Sequence, residues 1–295
     1  MVSAIILTYN EELHIKRCIE SIIDSVDHVF VMDSYSNDDT LKILRSYKNV
    51  TVAQNEFKNQ AQQLNYAIDY FDITSDWVFR IDADEYIDNE FSCFLKEELP
   101  LVKNDVNGVY INRKITFLGK TLKYGGMSTY WNLRLWRHGF GYCEQRWMDE
   151  HIVLSSGRSI KAKGVLYDHN LNNLSWWAHK HVEYSTREAL DIIQKDLDGK
   201  QSGVKPSLIG SKTERTRFFK LLYNNTPLFV RPFIYFILRF FLQAGFMDGK
   251  QGFIWCFLQG FWYRFMVDSK IYEIKKESTH NDIRSVIKKM YNYEI

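Results

Sequence analysis

The chain has 295 residues, enough for one large domain or one domain with an appendage. A charged fraction of 25% and a hydrophobic fraction of 45% fit an ordered globular protein, and a net charge of +2 argues against a nucleic-acid binder. The four cysteines, Cys18, Cys93, Cys143 and Cys256, form no Cys-x-x-Cys, which disfavours a zinc site or disulfide framework and points to a reducing compartment.

The N-terminus lacks a basic leader and runs into polar Thr8-Tyr9-Asn10, so Ser3 to Thr8 reads as a buried strand, not a signal peptide. Glu11 to Ser25 follows with apolar residues at helical spacing (Leu13, Cys18, Ile19, Ile22, Ile23), and Asn10 is placed to cap it. Val29 to Met32 is a second strand, Asn37 to Tyr47 a second helix and Val50 to Ala53 a third strand. Lys58 to Phe71 is a third helix, with Ala61, Leu64, Ala67 and Ile68 on one face, and Trp77 to Ile81 a fourth strand. Such alternation predicts an α/β fold, a mostly parallel sheet with helices on both faces. Ligands bind outside the carboxyl ends of such strands. Thr8-Tyr9-Asn10-Glu11, Asp33-Ser34 and Asp82-Ala83-Asp84 all fall there.

Asp82 and Asp84 are separated by one small residue, so both can reach one ion. Hard oxygen ligands suit Mg²⁺ or Mn²⁺, which takes one or two carboxylates and completes its shell with substrate phosphates. Neither Gly-x-Gly-x-x-Gly nor a P-loop follows the first strand, so metal and side chains would have to hold a diphosphate. Arg134 and Arg137 belong to a strand-like segment, Leu133 to Arg137; either could touch phosphate, and the sequence does not choose between them.

Ala4 to Glu11, Val31 to Thr40 and Asp82-Ala83-Asp84 together resemble the family 2 glycosyltransferases, inverting enzymes of the GT-A fold that use nucleotide sugars. Within that family the whole chain resembles bacterial transferases of the lipopolysaccharide core and surface polysaccharides, which carry a comparable His-x-x-Tyr-x-x-Arg-Glu-Ala helix. The resemblance implies that Thr8, Asn10 and Glu11 line the nucleotide pocket, that Asp33 meets the base, usually uracil, and that Asp38 supports that loop. It also implies that Asn65 sits near nucleotide and sugar, that Asp82 contacts ribose or sugar, and that Asp84 binds the metal. Leu64 stands where the family often has a basic residue.

Inverting transfer needs a general base for the acceptor hydroxyl. By the same resemblance, the acidic pair in Trp147-Met148-Asp149-Glu150 supplies it, with Glu150 preferred and Asp149 the alternate. His169, after the strand-like Gly164-Val165-Leu166, would complete the metal shell or touch the diphosphate. His179 and His181, two apart on a helix running to about Asp198, do not face one ion, and Lys180, Tyr184 and Arg187 read first as packing or solvated positions.

The expected catalytic domain covers residues 1–210, and residues 211–295 form a helical, aromatic-rich region. Residues 211–240 hold six basic side chains and one acid. Gly245 to Gly252 reads as a loop between two Phe-rich helices. This composition suits helices in the interface of an anionic membrane; a contact with the catalytic core or an oligomer contact is the other reading. The sequence thus predicts a transferase of UDP-sugars acting on a glycan or lipid-linked saccharide, cytoplasmic and peripheral on the inner membrane face. A non-catalytic scaffold on the same fold and a sugar-phosphate nucleotidyltransferase are the alternatives, the latter disfavoured because residues 1–20 hold no glycine.

Overall fold

A computed structural model describes residues 1–128, 130–144, 151–198, 223, 226–279 and 282–293. These fall into two compact units, Met1–Lys123 with Met127–Asn172, and Tyr124–Gly126 with Asn173–Ile295. The boundary expected at 210 lies outside the described residues.

The first unit is built on a sheet that begins parallel, as the alternating pattern requires. Strands β1 (Val2–Thr8), β2 (His28–Asp33), β3 (Val50–Gln54) and β4 (Trp77–Arg80) pair in the order β3-β2-β1-β4. Alternate side chains of each strand enter different cores. Ala4, Ile6, Val29, Val31 and Phe79 pack with Ile15, Cys18, Ile19 and Ile22 of α1 (Ile15–Ile22). Ile5, Phe30, Met32 and Val78 pack instead with Ala61, Leu64 and Ala67 of α3 (Gln60–Tyr70). Two-sided burial explains why these strands read as continuous apolar runs.

Past β4 the sheet changes character. It continues through β8 (Tyr130–Arg137), β6 (Val106–Phe117), β11 (Arg158–Asp168) and β5 (Glu85–Ile87), with β8 antiparallel to β4 and to β6, β11 parallel to β6, and β5 antiparallel to β11. The short β7 (Lys120–Thr121) pairs with β6. A separate hairpin joins β9 (Gly141–Cys143) to β10 (Ile152–Leu154).

Two expected helices are shorter than their apolar patterns. Asn10 does not cap α1: its φ is 56° and its Oδ1 accepts from Asn37 N at 2.9 Å, so the helix begins at Ile15. The helix expected from Asn37 to Tyr47 is α2, Thr40–Leu44, because the preceding residues are spent on contacts with the β1 loop.

In the second unit, α5 (Leu174–Asp198) packs against the helix Tyr263–Glu277 through Ala189, Leu190, Ile193, Val267, Ile271 and Ile274. The segment expected to be a loop at 245–252 is a 3-10 turn, Gly245–Asp248, followed by a helix from Gly249. No helix among the described residues is long and apolar enough to cross a membrane.

His181 of α5 stacks on Trp177 with ring centroids 3.6 Å apart, and its Nδ1–H donates to the Trp177 carbonyl at 2.8 Å. Burial, with Lys180 adding to it, pushes its pKa down to about 4 from the ordinary 6.5. The fold therefore favours the neutral ring. That contribution is complete above the unfolded value and is lost as pH falls from 6.5 toward 4. Urea melts of wild type and His181→Gln across this range should show wild type losing about 1–2 kcal/mol more than the variant, a figure reduced for the ring's partial exposure.

Candidate functional site

The carboxyl ends of β1, β2 and β3 meet at Asp33. Its carboxylate is fully buried and accepts from Thr8 Oγ1 at 2.9 Å, Ser36 N at 2.9 Å and Gln54 Nε2 at 3.0 Å, with the Ser36 hydroxyl a further donor. Thr8 and Asp33 are register partners, so adjacent strands deliver both. A buried carboxylate needs such a full set of donors. Asp33 thereby fixes the start of the loop after β2.

That loop is sewn to the loop after β1. Asn10 N donates to Ser36 Oγ at 2.9 Å and Glu11 N to Thr40 Oγ1 at 2.8 Å. Glu12 N donates to Asp38 Oδ2 at 3.0 Å, while Asp39 N donates to Glu12 Oε2 at 3.0 Å. Asp38 also accepts from Thr40 N at 3.0 Å; against the effect of burial, these donors hold its carboxyl below the usual range. Glu11 Oε2 meets His14 Nδ1 at 2.6 Å. Because Leu171 N donates to His14 Nε2 at 2.8 Å, Nε2 is the acceptor and Nδ1 carries the proton.

The carboxylate run after β4 divides its labour. Asp82 receives a two-pronged contact from Arg134, with Nη1–Oδ1 at 3.2 Å and Nη2–Oδ2 at 2.9 Å, and Arg80 Nε lies 3.3 Å from Oδ1. Burial works to raise its pKa, but Arg134 and Arg80 hold it well below the usual range. Glu85 is deeper and fully buried. It accepts from Arg113 Nε at 2.7 Å, from Asp82 N at 2.9 Å and from Arg134 Nη2 at 3.3 Å. Burial and the neighbouring Asp82 nevertheless push its pKa up to about 7. Arg113 also reaches Asp168 at 2.8 Å. Of the two arginines the sequence could not separate, Arg134 enters this cluster, while Arg137 lies over Trp77 and donates to the Val106 carbonyl at 2.9 Å.

Asp84 is half-buried, and its one side-chain hydrogen bond among the described residues comes from Asn170 Nδ2 at 3.1 Å. His169 is brought to it: His169 N donates to the Asp84 carbonyl at 3.1 Å. Arg17 bridges the two, donating to the Asp84 carbonyl at 3.0 Å and the His169 carbonyl at 2.6 Å. Arg17 Nη1 also lies 3.2 Å from His169 Nδ1. A guanidinium only donates, so Nδ1 is an acceptor there and its lone pair is committed. Burial, then Arg17 and His14, lowers the His169 pKa.

No group of three metal-ligating side chains gathers among the described residues. The donor set fits a Mg²⁺- or Mn²⁺-type ion held by one or two carboxylates and completed by substrate phosphate, not a cage made of protein alone. Asp84 is the carboxylate with capacity to spare, since Arg134 and Arg80 engage Asp82.

Asn65 spends its amide on backbone. Its Nδ2 donates to the Cys143 carbonyl at 2.8 Å and its Oδ1 accepts from Cys143 N at 2.9 Å. It therefore ties α3 to the β9–β10 hairpin. Glu144 N donates to the His151 carbonyl at 3.0 Å at the end of that hairpin. Asp149 and Glu150 lie outside the described residues. Sequence reasoning missed Arg17, Glu85, Arg113 and Asn170. A basic residue next to the buried stripe of α1 was the one available signal for Arg17; the others gain meaning from partners distant in sequence.

The model of "Glycosyl transferase family 2" matches residues 3–160. The lipopolysaccharide core biosynthesis glycosyltransferase LpsC of Rhizobium meliloti is 27% identical over 276 residues, covering 92% of each chain. The SPbeta prophage-derived glycosyltransferase SunS of Bacillus subtilis is 37% identical over 227 residues, covering 65% of this chain and 52% of SunS. Among solved structures, S. aureus TarS 1–349 in complex with UDP-GlcNAc aligns with 94% of this chain and 90% of its own, at 15% identity and a TM-score of 0.42.

Removing one member of the buried charge cluster leaves its partners short of countercharge. Arg134→Met is expected to cost about 3–5 kcal/mol in urea unfolding, because Asp82 and Glu85 would remain buried without their shared cation. Arg134→Lys should recover part of that loss, since it restores charge without the fork.

Proposed function

The chain belongs to glycosyltransferase family 2, and from that premise we propose that it moves a sugar from a UDP donor to a hydroxyl of a surface or lipid-linked saccharide, inverting the anomeric centre. The observation that carries this reading is the convergence of Thr8–Asp33 and Asp82–Ala83–Asp84 at the carboxyl ends of neighbouring parallel strands. The sewn loops 9–12 and 34–40 form a preorganised wall for the nucleoside. Glu11 and Asn10 stand in that wall, and Asp33 acts by fixing its shape. Asp82, oriented by Arg134, faces the ribose or sugar.

Asp84 would hold the divalent cation, with Asp82 adjoining. When bound, such an ion supplies charge neutralisation for the diphosphate. Asn170 orients the Asp84 carboxylate, and Arg17 fixes the backbone of Asp84 and His169. In this arrangement His169 serves better as a neutral contact for phosphate oxygen, donating from Nε2, than as a metal ligand.

Glu150, with Asp149 as alternate, takes the proton of the acceptor hydroxyl as its oxygen bonds to the anomeric carbon and the nucleoside diphosphate leaves. Asn65 positions the hairpin that leads into this acidic pair. The similarity to LpsC across nearly the whole chain supports a surface saccharide as acceptor. On this reading the transfer takes place at the cytoplasmic face of a membrane, where a nucleotide sugar would meet a lipid-linked acceptor.

Two variants test the division of roles. In calorimetry with UDP and Mn²⁺, Asp84→Asn should abolish the metal-dependent gain in UDP affinity. Glu150→Gln should keep that gain and lower sugar transfer by about 10²- to 10⁴-fold. Metal-independent UDP binding by wild type, or unimpaired transfer in the Glu150 variant, would refute the assignment.

A further inference from the structure

The helix from Arg231 continues through a π-helical segment to Leu242. Phe233, Ile234, Ile237, Leu238, Phe241 and Leu242 recur along it at helical spacing, which normally marks the face turned into a core. Here that face is turned out. Phe233, Ile234, Ile237 and Phe241 are each more than half exposed and Leu242 is 77% exposed. The charged residues of the same helix are buried. Arg231 pairs with Asp268, and Arg239 donates to the Gly125 carbonyl at 2.8 Å. The polarity is inverted relative to a helix on the surface of a water-soluble domain.

The exposed face continues past the turn. Phe246 and Met247 are 52% and 55% exposed, and Phe253 and Phe257 extend the surface along the next helix. Ring contacts join these parts: Phe233 to Phe261 at 4.5 Å, Phe240 to Phe253 at 5.5 Å and Phe257 to Phe261 at 5.5 Å. Single exposed apolar side chains need no explanation, but a contiguous patch of this kind marks an interaction surface.

Charge and polarity identify the occupant. Across residues 226–262 the one carboxylate, Asp248, is buried and accepts from Tyr124 N at 2.9 Å. Lys250, at the turn, is exposed. Across residues 226–262 the surface therefore offers apolar area and one exposed cation, Lys250, with no exposed acid. A protein partner would require hydrogen-bonding groups at regular intervals across an interface of this size, and between Phe233 and Met247 the exposed side chains include one polar group, Gln243. An anionic bilayer requires none beyond the rim. The run from Arg231 to Leu242 is only about 18 Å long, so it fits the headgroup–acyl boundary and not a span.

We propose that the face carried by residues 230–257 docks the protein on an anionic lipid bilayer, with the turn around Leu242–Met247 inserted among the headgroups. The full chain should float with phosphatidylglycerol–phosphatidylethanolamine vesicles, and much less with phosphatidylcholine vesicles. Phe241→Glu combined with Leu242→Glu should weaken flotation by roughly a hundredfold while preserving thermal stability and UDP binding. Phe246→Ser with Met247→Ser tests the same face without adding charge, in case the first pair disturbs folding. Light scattering without lipid should report a species whose mass neither pair alters. Unchanged flotation of both variants, equal flotation with neutral vesicles, or a lipid-free oligomer that the variants dissociate would each overturn the proposal.

Discussion

The buried ion cluster around Asp82 and Glu85 is the constraint on which the first unit turns. Its members come from different parts of the sheet: Asp82 follows β4, Glu85 begins β5, Arg113 lies on β6, Arg134 on β8 and Asp168 ends β11. Buried charges are tolerable only when every partner is present and well oriented. Each strand must therefore arrive in register before the others are satisfied. The cluster lies beside the β4–β8 seam, where the sheet passes from parallel to antiparallel pairing. Ligands in open α/β sheets gather where the strand order reverses, here between β1 and β4. The arrangement that specifies the strand order thus also builds the floor of the site.

That arrangement crowds carboxylates and guanidiniums together, with Arg17 at its edge. Asp82, Asp84, Glu85 and Asp168 share Arg80, Arg113 and Arg134, and Glu85, the deepest, has its pKa pushed up to about 7 by burial and by Asp82. Asp84 stands beside this group with Arg17 on its backbone carbonyl and a single amide partner on its carboxylate. These partners separate Asp84 from Asp82 despite their near-identical sequence context. Pairing with two arginines makes Asp82 a fixed acceptor, while Asp84, equally half-buried, has only an amide on its carboxylate.

The first four strands and the two-sided helical packing were legible in the chain because they are encoded locally, in apolar runs and in residues three or four apart. The strand end at Asp33 was legible for the same reason, because it closes an apolar run; the burial of its carboxylate among Thr8, Ser36 and Gln54 was not. Asn65 was a different case. Its role depends on Cys143, 78 residues away, and a polar residue on a helix carries no mark of such a partner. Asn10 illustrates the competition between local and tertiary demand. It has the chemistry of a helix cap, yet its side chain satisfies Asn37 N in the neighbouring loop. The strands after residue 105 were visible only in fragments. They are half-buried, joined by turns, and ordered by ion pairs that no periodicity reveals.

The second unit shows how burial can be inverted without loss of order. Arg231, Asp268 and Lys270 are sealed inside: Asp268 accepts from Phe229 N at 2.8 Å as well as from Arg231, and Lys270 Nζ donates to the Val182 carbonyl at 2.7 Å. These three charged groups each have a partner, so they are held inside by hydrogen bonds and ion pairing. The phenylalanines left outside contribute little to that interior and expose apolar area to water at a cost of about 25 cal/mol per Å². Transfer to a lipid interface removes that cost without rearranging the helices. Under the proposed docking, the polar pairing inside keeps the apolar face preformed before it meets a bilayer.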